Sequence, residues 1–381
     1  MKSLKIRLEL NNEQATLAAK HAGVARHAYN WGLDVCKKAY LHGEKRPSAI
    51  DLHKKLVAEV KKENAWYYEV SKCSPQEALR NLDKAYIKCF REKKGLPVFK
   101  KKGIRDSFYL EGAIEVKGNQ IKIPKFGKVK ISESLDIQGI KNVTVSKTAG
   151  QWFVAFKIPQ PPSPQQGEFK RQEKTNPIGV DLGIKTLATL SDGSSFENKR
   201  PYKKLKRKLK IAQRKVSKKV KGSANRKKAI QKVAKLHYKI ANIRKDSLHK
   251  LTTYLAKNHS EVVIEDLNVR GMSKNHKLAS AILDGGFYEF RRQLSYKCEW
   301  YGSELTVIDR FYPSSKTCSC CGAIKKELKL IERIYHCESC KISIDRDFNA
   351  AINLRNEAVS YTASACGVPN QPPAVAAKAA A

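Results

Sequence analysis

Carboxylates are scarce in this 381-residue chain: 36 Asp and Glu stand against 75 Lys and Arg, a formal net charge of +39. An excess of that size must be balanced by a polyanion or by counterions, which makes nucleic acid the favoured partner. Long apolar runs are missing too. None approaches the roughly 20 residues of a spanning helix. The basic residues recur along most of the chain rather than in one amphipathic anchor, so a membrane surface is the weaker rival. No secretory leader is visible and, outside one cluster, the cysteines are scattered singly. A disulfide framework is therefore disfavoured, and a reducing, cytoplasmic compartment is expected. Length is not lacking: single cores stop growing at about 250 to 300 residues, so two or three domains are expected.

The cysteine cluster lies in KTCSCCGAIKKELKLIERIYHCESCKISIDRDFNA, Lys316 to Ala350. Two Cys-x-x-Cys pairs, Cys318 with Cys321 and Cys337 with Cys340, are separated by 15 residues. That spacing suits two short knuckles that fold back and present four thiolates tetrahedrally to one zinc ion. Cys320 sits between the first two ligands, but a tight knuckle aims its first and fourth positions at the metal, so Cys320 stands outside the set. Four protein ligands leave no place for a water. The zinc is structural, and any chemistry must come from elsewhere.

Taken in order, Lys2 to Leu10 alternates apolar and charged side chains as a strand with one solvated face does. Asn11 and Asn12 offer an N-cap to a helix whose stripe is Val24, Ala28, Trp31 and Val35. A second helix carries Leu52, Leu56 and Val60, and a third runs from about Ser74 to Phe90. Arg26, Asn30, Gln76, Arg80 and Lys84 fall on polar faces, which suits a solvated surface as readily as a nucleic-acid contact. From Lys100 the pattern changes to short alternating runs with turn signals between them, around Ile114, Ile121, Val143 and Trp152. They form a small antiparallel β unit, open to closure as a barrel by the N-terminal strand, which would make residues 11–95 an insertion. Lys100 and Lys101 lie among Phe99, Phe108 and Tyr109, a mixture that suits a nucleic-acid surface and core aromatics beside surface lysines equally. The run PQPPSPQQGEFKRQEKTN from Pro159 to Asn176 reads as a linker.

Beyond it, PIGVDLGIKTLATL from Pro177 to Leu190 is a continuous apolar run, expected as a central strand, interrupted by one carboxylate, Asp181. An unpaired buried charge is expensive, and a metal ion is one reason to keep it. Gly183 removes a side chain beside it. Two basic helices follow, with Leu205, Leu209, Ala212, Val216 and Val220 on one stripe and Ile230, Val233, Leu236, Ile240, Ile243, Leu248 and Leu251 on the other. The turn Gly222-Ser223 makes them an antiparallel pair. Their outer faces, Arg207 and Arg214 included, are far more basic than solubility needs, which points to phosphate binding. In EVVIEDLN, Glu265 ends an apolar strand. An aromatic-rich helix spans Gly286 to Gly302, a strand runs from Leu305 to Asp309, and RFYPSS, with Arg310, Ser314 and Ser315 as further candidate nucleic-acid contacts, leads into the cysteines. Asp347 stands where an N-cap is expected, and the tail from Ser360 shows no periodic face.

Asp181 and Glu265 thus sit on separate strands and Asp347 at a helix start. Should the three converge, their repulsion would demand cations. Two Mg²⁺ ions, or Mn²⁺, fit hard oxygen ligands and in-line attack on phosphorus.

The set GVDLGIKTLATL, VVIEDLN, DRFYPSSKTCSCCG and CESCKISIDRDFNAAIN, in this order, resembles the TnpB/OrfB family of bacterial insertion sequences, strongly over 177–356 and more loosely over AGVARHAYNWGL, SPQEALRNLDKAY and GLPVFKKK. The C-terminal half is similar to the RuvC nuclease domain of type V CRISPR effectors. The resemblance implies an α+β multidomain chain: a wedge-type β-barrel (1–10 and 96–158) with a helical recognition insert (11–95), a linker (159–176), an RNase H-like, RuvC-like domain (177–315 and 343–358), an inserted zinc ribbon (316–342) and a disordered tail (359–381). It implies RNA-guided cleavage of double-stranded DNA beside a short transposon-adjacent motif, by a monomeric ribonucleoprotein in the bacterial cytoplasm, associated with the nucleoid through DNA. By position, Asp181, Glu265 and Asp347 match the catalytic carboxylates, Asp345 looks secondary, and the four cysteines match the zinc ligands. The competing readings are a nucleic-acid-binding regulator that does not cut, and a transposase that joins strands itself. The second would need a nucleophilic Tyr beside a His pair, and the chain has no His-x-His segment.

Overall fold

The computed structural model describes residues 2–158, 176–329 and 331–365. The chain divides into two compact units, Met1–Gln160 and Pro161–Ala381. The expected linker lies, Asn176 apart, outside the described residues, as do residues 366–381 of the expected tail.

The first unit is a closed barrel with a helical excursion. Strand β1 (Lys2–Glu9) leads into α1 (Asn12–Leu41), which opens with a reciprocal cap. The Gln14 N–H donates to Asn11 Oδ1 at 2.7 Å and the Asn11 N–H to Gln14 Oε1 at 3.2 Å. Helix α2 (Ala49–Lys55) passes through a π-helical turn, Leu56–Val60, into the short α3 (Lys61–Glu63), and α4 (Cys73–Arg91) returns to pack on α1. The remaining strands are β2 (Ser107–Lys117), β3 (Gln120–Ile123), β4 (Gly127–Ile131), β5 (Ile137–Thr148) and β6 (Gln151–Ile158). They close in the order β1-β4-β3-β2-β5-β6, with β1 pairing to both β4 and β6. Strand β4 is absent from the sequence reading; its five residues GKVKI carry too short an alternation to be told from a turn. Ile6, Leu110, Val143, Val145 and Val154 alternate inward to fill the barrel. His21, buried on α1, packs its ring against Phe108 and Phe126 of the barrel, with centroids 4.9 and 5.2 Å apart, and its nitrogens bond within the helical part. Its Nε2 accepts from the Ser71 N–H at 3.0 Å, so Nδ1 carries the proton toward the Leu17 carbonyl at 2.9 Å, and burial lowers its pKa to about 4.

The second unit is built on a five-stranded sheet in the order β11-β10-β7-β8-β9. Its strands are β7 (Ile178–Leu182), β8 (Thr186–Leu190), β9 (Ser195–Glu197), β10 (Glu261–Glu265) and β11 (Glu304–Ile308). The run from Pro177 to Leu190 is therefore not one strand. It is a β7–β8 hairpin in which Asp181 faces Thr189 and the Gly183 N–H donates to the Leu187 carbonyl at 3.3 Å. A Cβ on Gly183 would lie 2.9 Å from the Thr186 carbonyl oxygen, so what the glycine admits is the hairpin's own backbone. Strand β9, three residues long, was likewise unforeseen. Strands β7, β10 and β11 run parallel, and β7, β8 and β9 antiparallel.

Between β9 and β10, α5 (Pro201–Ser217) and α6 (Ala224–Asn258) pack as a pair, Ser223 capping α6 through a 3.1 Å bond from the Arg226 N–H. Then come α7 (Val269–Met272), α8 (Ala279–Gly285) and α9 (Phe287–Tyr301). Leu248, Leu251, Leu255, Phe287, Phe290 and Leu294 cover one sheet face against Ile178, Val180, Val262 and Ile264. After the hairpin β12 (Ile334–His336) and β13 (Ser343–Asp345), α10 (Arg346–Ala365) covers the other, with Leu354 and Ala358 on Val263 and Ile308. Helix α10 runs past Val359, where the tail was expected to begin.

Strand periodicity decides what α10 covers. Val263 lies beside Gly179 in the parallel register, so Gly179, Asp181, Val263 and Glu265 share the α10 face. At Gly179 the helix touches the strand itself: an added Cβ would sit 2.0 Å from the Ala351 carbonyl oxygen and 2.7 Å from the Arg355 nitrogen. Both obstacles are backbone, so neither can swing aside. Gly179→Ala should lower stability by about 3 kcal/mol or more by forcing the helix off the sheet, measured as a drop in the thermal midpoint against Gly95→Ala, an exposed site where an added Cβ meets nothing within 4 Å, as control.

Candidate functional site

The α10 contact at Gly179 carries Asp347 to Asp181. Asp347, Ala351 and Arg355 follow at intervals of four on one helical stripe, so Asp347 stands about one 5.4 Å turn before the contact. Asp181 lies two residues past Gly179, about 6.6 Å along the strand. The two advances match. Glu265 closes the group from the end of β10, next to β7.

The electrostatics record this meeting. The Asp181 carboxyl is pushed up to about 7, first by burial, then by the charges of Asp347 and Glu265, with Arg346 pulling the other way. By surface area Asp181 is only half-buried. It is reachable from solvent yet crowded by protein, as at the floor of a cleft, and the crowding governs its proton affinity. Burial, then the neighbouring Asp266, raises Glu265 as well. Among the described residues the carboxylate oxygens are not gathered as tightly as the cysteine sulfurs.

Two neighbouring carboxylates are used differently. The Asp347 and Phe348 N–H groups both donate to Asp345 Oδ1 at 3.0 Å. Asp345 is therefore the cap of α10, and the expectation that Asp347 caps it is corrected. The helix begins at Arg346, two residues before the Phe348 start that an Asp347 cap implies, which leaves the Asp347 side chain free of capping. Asp266 is held by Arg291 and Arg310, which keep its carboxyl below the usual range.

The cysteine group stands apart from these oxygens. Sγ atoms of Cys318, Cys321, Cys337 and Cys340 all lie within 4.8 Å of one another, with Cys318–Cys340 and Cys321–Cys337 at 3.5 Å. Tetrahedral sulfur at 2.3 Å from a zinc ion puts sulfurs about 3.8 Å apart, so the set fits one zinc. Backbone N–H groups of Cys340 and Ser339 help lower the Cys337 thiol to about 6, whereas burial raises Cys318 to about 12. Cys320 is exposed and outside the set.

Several candidate nucleic-acid residues do structural work. Asn30 exchanges bonds with the Lys100 backbone, Nδ2 donating at 2.9 Å and Oδ1 accepting at 2.7 Å. Arg26 pairs with Asp106 at 3.3 Å, Arg80 lies 3.6 Å from Glu77, and the Lys100 ammonium sits 3.9 Å from the Tyr29 ring centroid. Ser314 is buried, Ser315 and Gln76 half-buried, and Arg310 is engaged with Asp266. Lys101, Arg207 and Arg214 are exposed; α5, which carries the last two, contains no carboxylate. The sequence reading missed Gly179, visible only as a glycine inside a strand, and Asn349 and Asn353, whose spacing of four on α10 was the available signal.

The OrfB_IS605 model, described as "Probable transposase", matches residues 156–276; "Cas12f1-like, TNB domain" matches 287–354; and "Helix-turn-helix domain" matches 1–45. In the last range the described residues form β1 and a single helix of 30 residues. A protein of Streptomyces pristinaespiralis named "Putative RNA-guided DNA endonuclease" is 38% identical over 379 residues, covering 96% of this chain and 91% of the relative. InsQ of Escherichia coli strain K12, with the same description, is 34% identical over 393 residues, covering 96% and 94%. A cryo-EM structure of CasPhi-2 (Cas12j) bound to crRNA overlaps 94% of this chain and 98% of its own at 10% identity and a TM-score of 0.45. Among the described residues no helix is long and apolar enough to cross a membrane.

The raised Asp181 carboxyl has a consequence for stability. An acid whose folded pKa exceeds its unfolded value contributes stability below the unfolded pKa, near 3.8, and loses it as pH rises through the folded value, about 7. Above pH 7 without divalent ions the charged carboxylate opposes folding. In metal-free buffer at pH 8, Asp181→Asn should stabilise the chain by on the order of 2 kcal/mol, discounted for partial exposure, and the gain should vanish at pH 4, followed by thermal unfolding at both pH values.

Proposed function

We propose that this chain, which belongs to the TnpB/OrfB family, is an RNA-guided, metal-dependent DNA endonuclease of a bacterial transposon that cuts double-stranded DNA beside a short transposon-adjacent motif. The reading is carried by one observation: Asp181, Glu265 and Asp347, distant along the chain, meet on one sheet face closely enough for the first to bear the charge of the other two. The sheet order β11-β10-β7-β8-β9, three parallel strands beside an antiparallel trio, supports an RNase H-like, RuvC-type domain. The relatives' names support the activity.

In this reading the three carboxylates are the oxygen donors for divalent ions, magnesium in preference to zinc because all are hard ligands. When bound, a pair of Mg²⁺ ions activates the attacking water and stabilises the leaving oxygen of an in-line displacement at phosphorus. The protein supplies position. Asp345 fixes the first turn of α10 so that Asp347 points at the cluster, and Asp266, engaged with Arg291 and Arg310, holds the β10 end where Glu265 leaves it. Arg346 lies near enough to Asp181 to offset part of the negative charge. Guide RNA selects the target by base pairing while the protein reads the flanking motif and the backbone. Arg207 and Arg214 on the carboxylate-free helix α5 are placed to meet phosphates, and the four cysteines hold a structural zinc. The particle acts in the cytoplasm, on nucleoid DNA, as a monomeric ribonucleoprotein.

Copurified ribonucleoprotein with Mg²⁺ should cleave a matching, correctly flanked duplex. Asp181→Ala or Glu265→Ala should reduce the rate by about 10²- to 10⁴-fold, since several kcal/mol of charge stabilisation are lost, while target binding persists in a gel-shift assay. Binding without cutting by the unaltered protein would transfer the assignment to a regulator. Arg207→Gln with Arg214→Gln should lower the slope of log affinity against log salt for RNA by about 2, one for each phosphate no longer neutralised, read from binding isotherms across a salt series.

A further inference from the structure

We propose that Asn349 and Asn353 are positioning residues that bolt α10 to the first cysteine knuckle, so that zinc loading sets where Asp347 stands. The proposal rests on the nuclease reading of the carboxylate site. Both side chains are buried. Asn349 Oδ1 accepts from the Ser319 N–H at 3.0 Å and its Nδ2 donates to the Thr317 carbonyl at 2.7 Å. Asn353 Nδ2 donates to the Ser314 carbonyl at 2.7 Å and to the same Thr317 carbonyl at 2.6 Å. Thr317 and Ser319 flank Cys318, whose sulfur lies 3.5 Å from that of Cys340, and Ser314 precedes them by one short turn. The bonds therefore end on the segment that zinc would order.

Helical geometry explains why two asparagines suffice. Asn349 and Asn353 are four apart and share a stripe, and that stripe lies about 200° round the helix from Asp347 and Ala351. One side of α10 rests on bare strand at Gly179 while another is pinned to the knuckle. A second tie holds the helix start from the β12–β13 hairpin. The Arg346 N–H donates to the Arg333 carbonyl at 2.8 Å, and Nη1 reaches the Lys329 and Glu332 carbonyls at 3.3 and 3.4 Å. Asp345, the cap, pairs with Ile334 across that hairpin. Without zinc, four cysteines have no common partner, and structural zinc segments owe their folding to the metal. Both ties would then end on disordered chain, and Asp347 would lose its fixed place relative to Asp181. An amide is the suitable group, since one side chain must both accept from an N–H and donate to a carbonyl.

The test uses the purified ribonucleoprotein carrying Asn349→Ala with Asn353→Ala. Zinc content is measured by metal analysis, Mn²⁺ affinity by electron paramagnetic resonance titration, and protection of the first turn of α10 by hydrogen exchange, alongside cleavage. The expected result is zinc retained, guide RNA retained, and Mn²⁺ affinity and cleavage reduced together by about 10- to 100-fold. Chelating zinc from the unaltered protein should give a similar loss of Mn²⁺ affinity, and chelating it from the double variant should add little. Should the double variant fold poorly, Asn353→Ala alone, which removes the bond to the Ser314 carbonyl and one of the two donors to the Thr317 carbonyl while keeping both Asn349 bonds, should show a smaller loss in the same direction. Unchanged Mn²⁺ affinity in either variant, or in zinc-stripped protein, overturns the proposal. If the unaltered protein does not cut, the nuclease reading fails, and the coupling is then decided by hydrogen exchange alone: zinc removal that leaves the first turn of α10 protected overturns it.

Discussion

A helix can lie against a strand with backbones touching only where no side chain stands between them. In the second unit that place is Gly179, where even a methyl group would collide with the Ala351 carbonyl. The contact sets both the height and the register of α10 over β7, because a packed helix cannot slide without lifting its ridges out of their grooves. Everything at the carboxylate site inherits that register. One turn before Ala351 comes Asp347, two residues beyond Gly179 comes Asp181, and Glu265 follows on the neighbouring strand. A site assembled from three distant chain segments is thus governed by the absence of one side chain.

The assembled group is unfavourable by itself. Burial and mutual repulsion raise Asp181, and a fold that brings like charges together in crowded surroundings is relieved only by protons or cations. The chain separates this group from carboxylates employed in construction. Asp266 is satisfied by Arg291 and Arg310, and Asp345 by two backbone N–H groups, while their neighbours Glu265 and Asp347, like Asp181, form no salt bridge among the described residues. Residues adjacent in sequence diverge because alternate strand positions face opposite ways and because a helix cap points back along the axis. The raised proton affinities of Asp181 and Glu265 mark them as groups whose charge awaits a partner.

Much of the fold was legible from periodicity. The capping pattern at Asn11, the basic helices divided at Gly222-Ser223, the strand ending at Glu265 and the paired cysteines all rest on spacing within a few residues. Errors fell where spacing is ambiguous. A continuous apolar run reads the same whether it is one buried strand or a buried hairpin, so β7 and β8 were merged. Strands of three to five residues, β9 and β4, carry too few alternations to register. At the start of α10 the triplet Asp345-Arg346-Asp347 offers two capping residues, and the rule that names the residue type does not choose between them. Candidate nucleic-acid residues fared least evenly: the basic character of α5 is compositional, whereas Asn30 and Ser314 resemble surface polar residues until their partners are known.

Sequence by itself determined the chemistry available: four thiolates at zinc spacing, carboxylates lodged in apolar strands, and a surplus of cations suited to a polyanion. These follow from residue type and short-range order, which the chain carries wherever it folds. Only the tertiary structure decided which carboxylates meet, which cap a helix, and which asparagines join α10 to the knuckle. Those outcomes depend on contacts between segments tens to more than a hundred residues apart. Such contacts arise from the register in which packed backbones come to rest, a property no local spacing encodes.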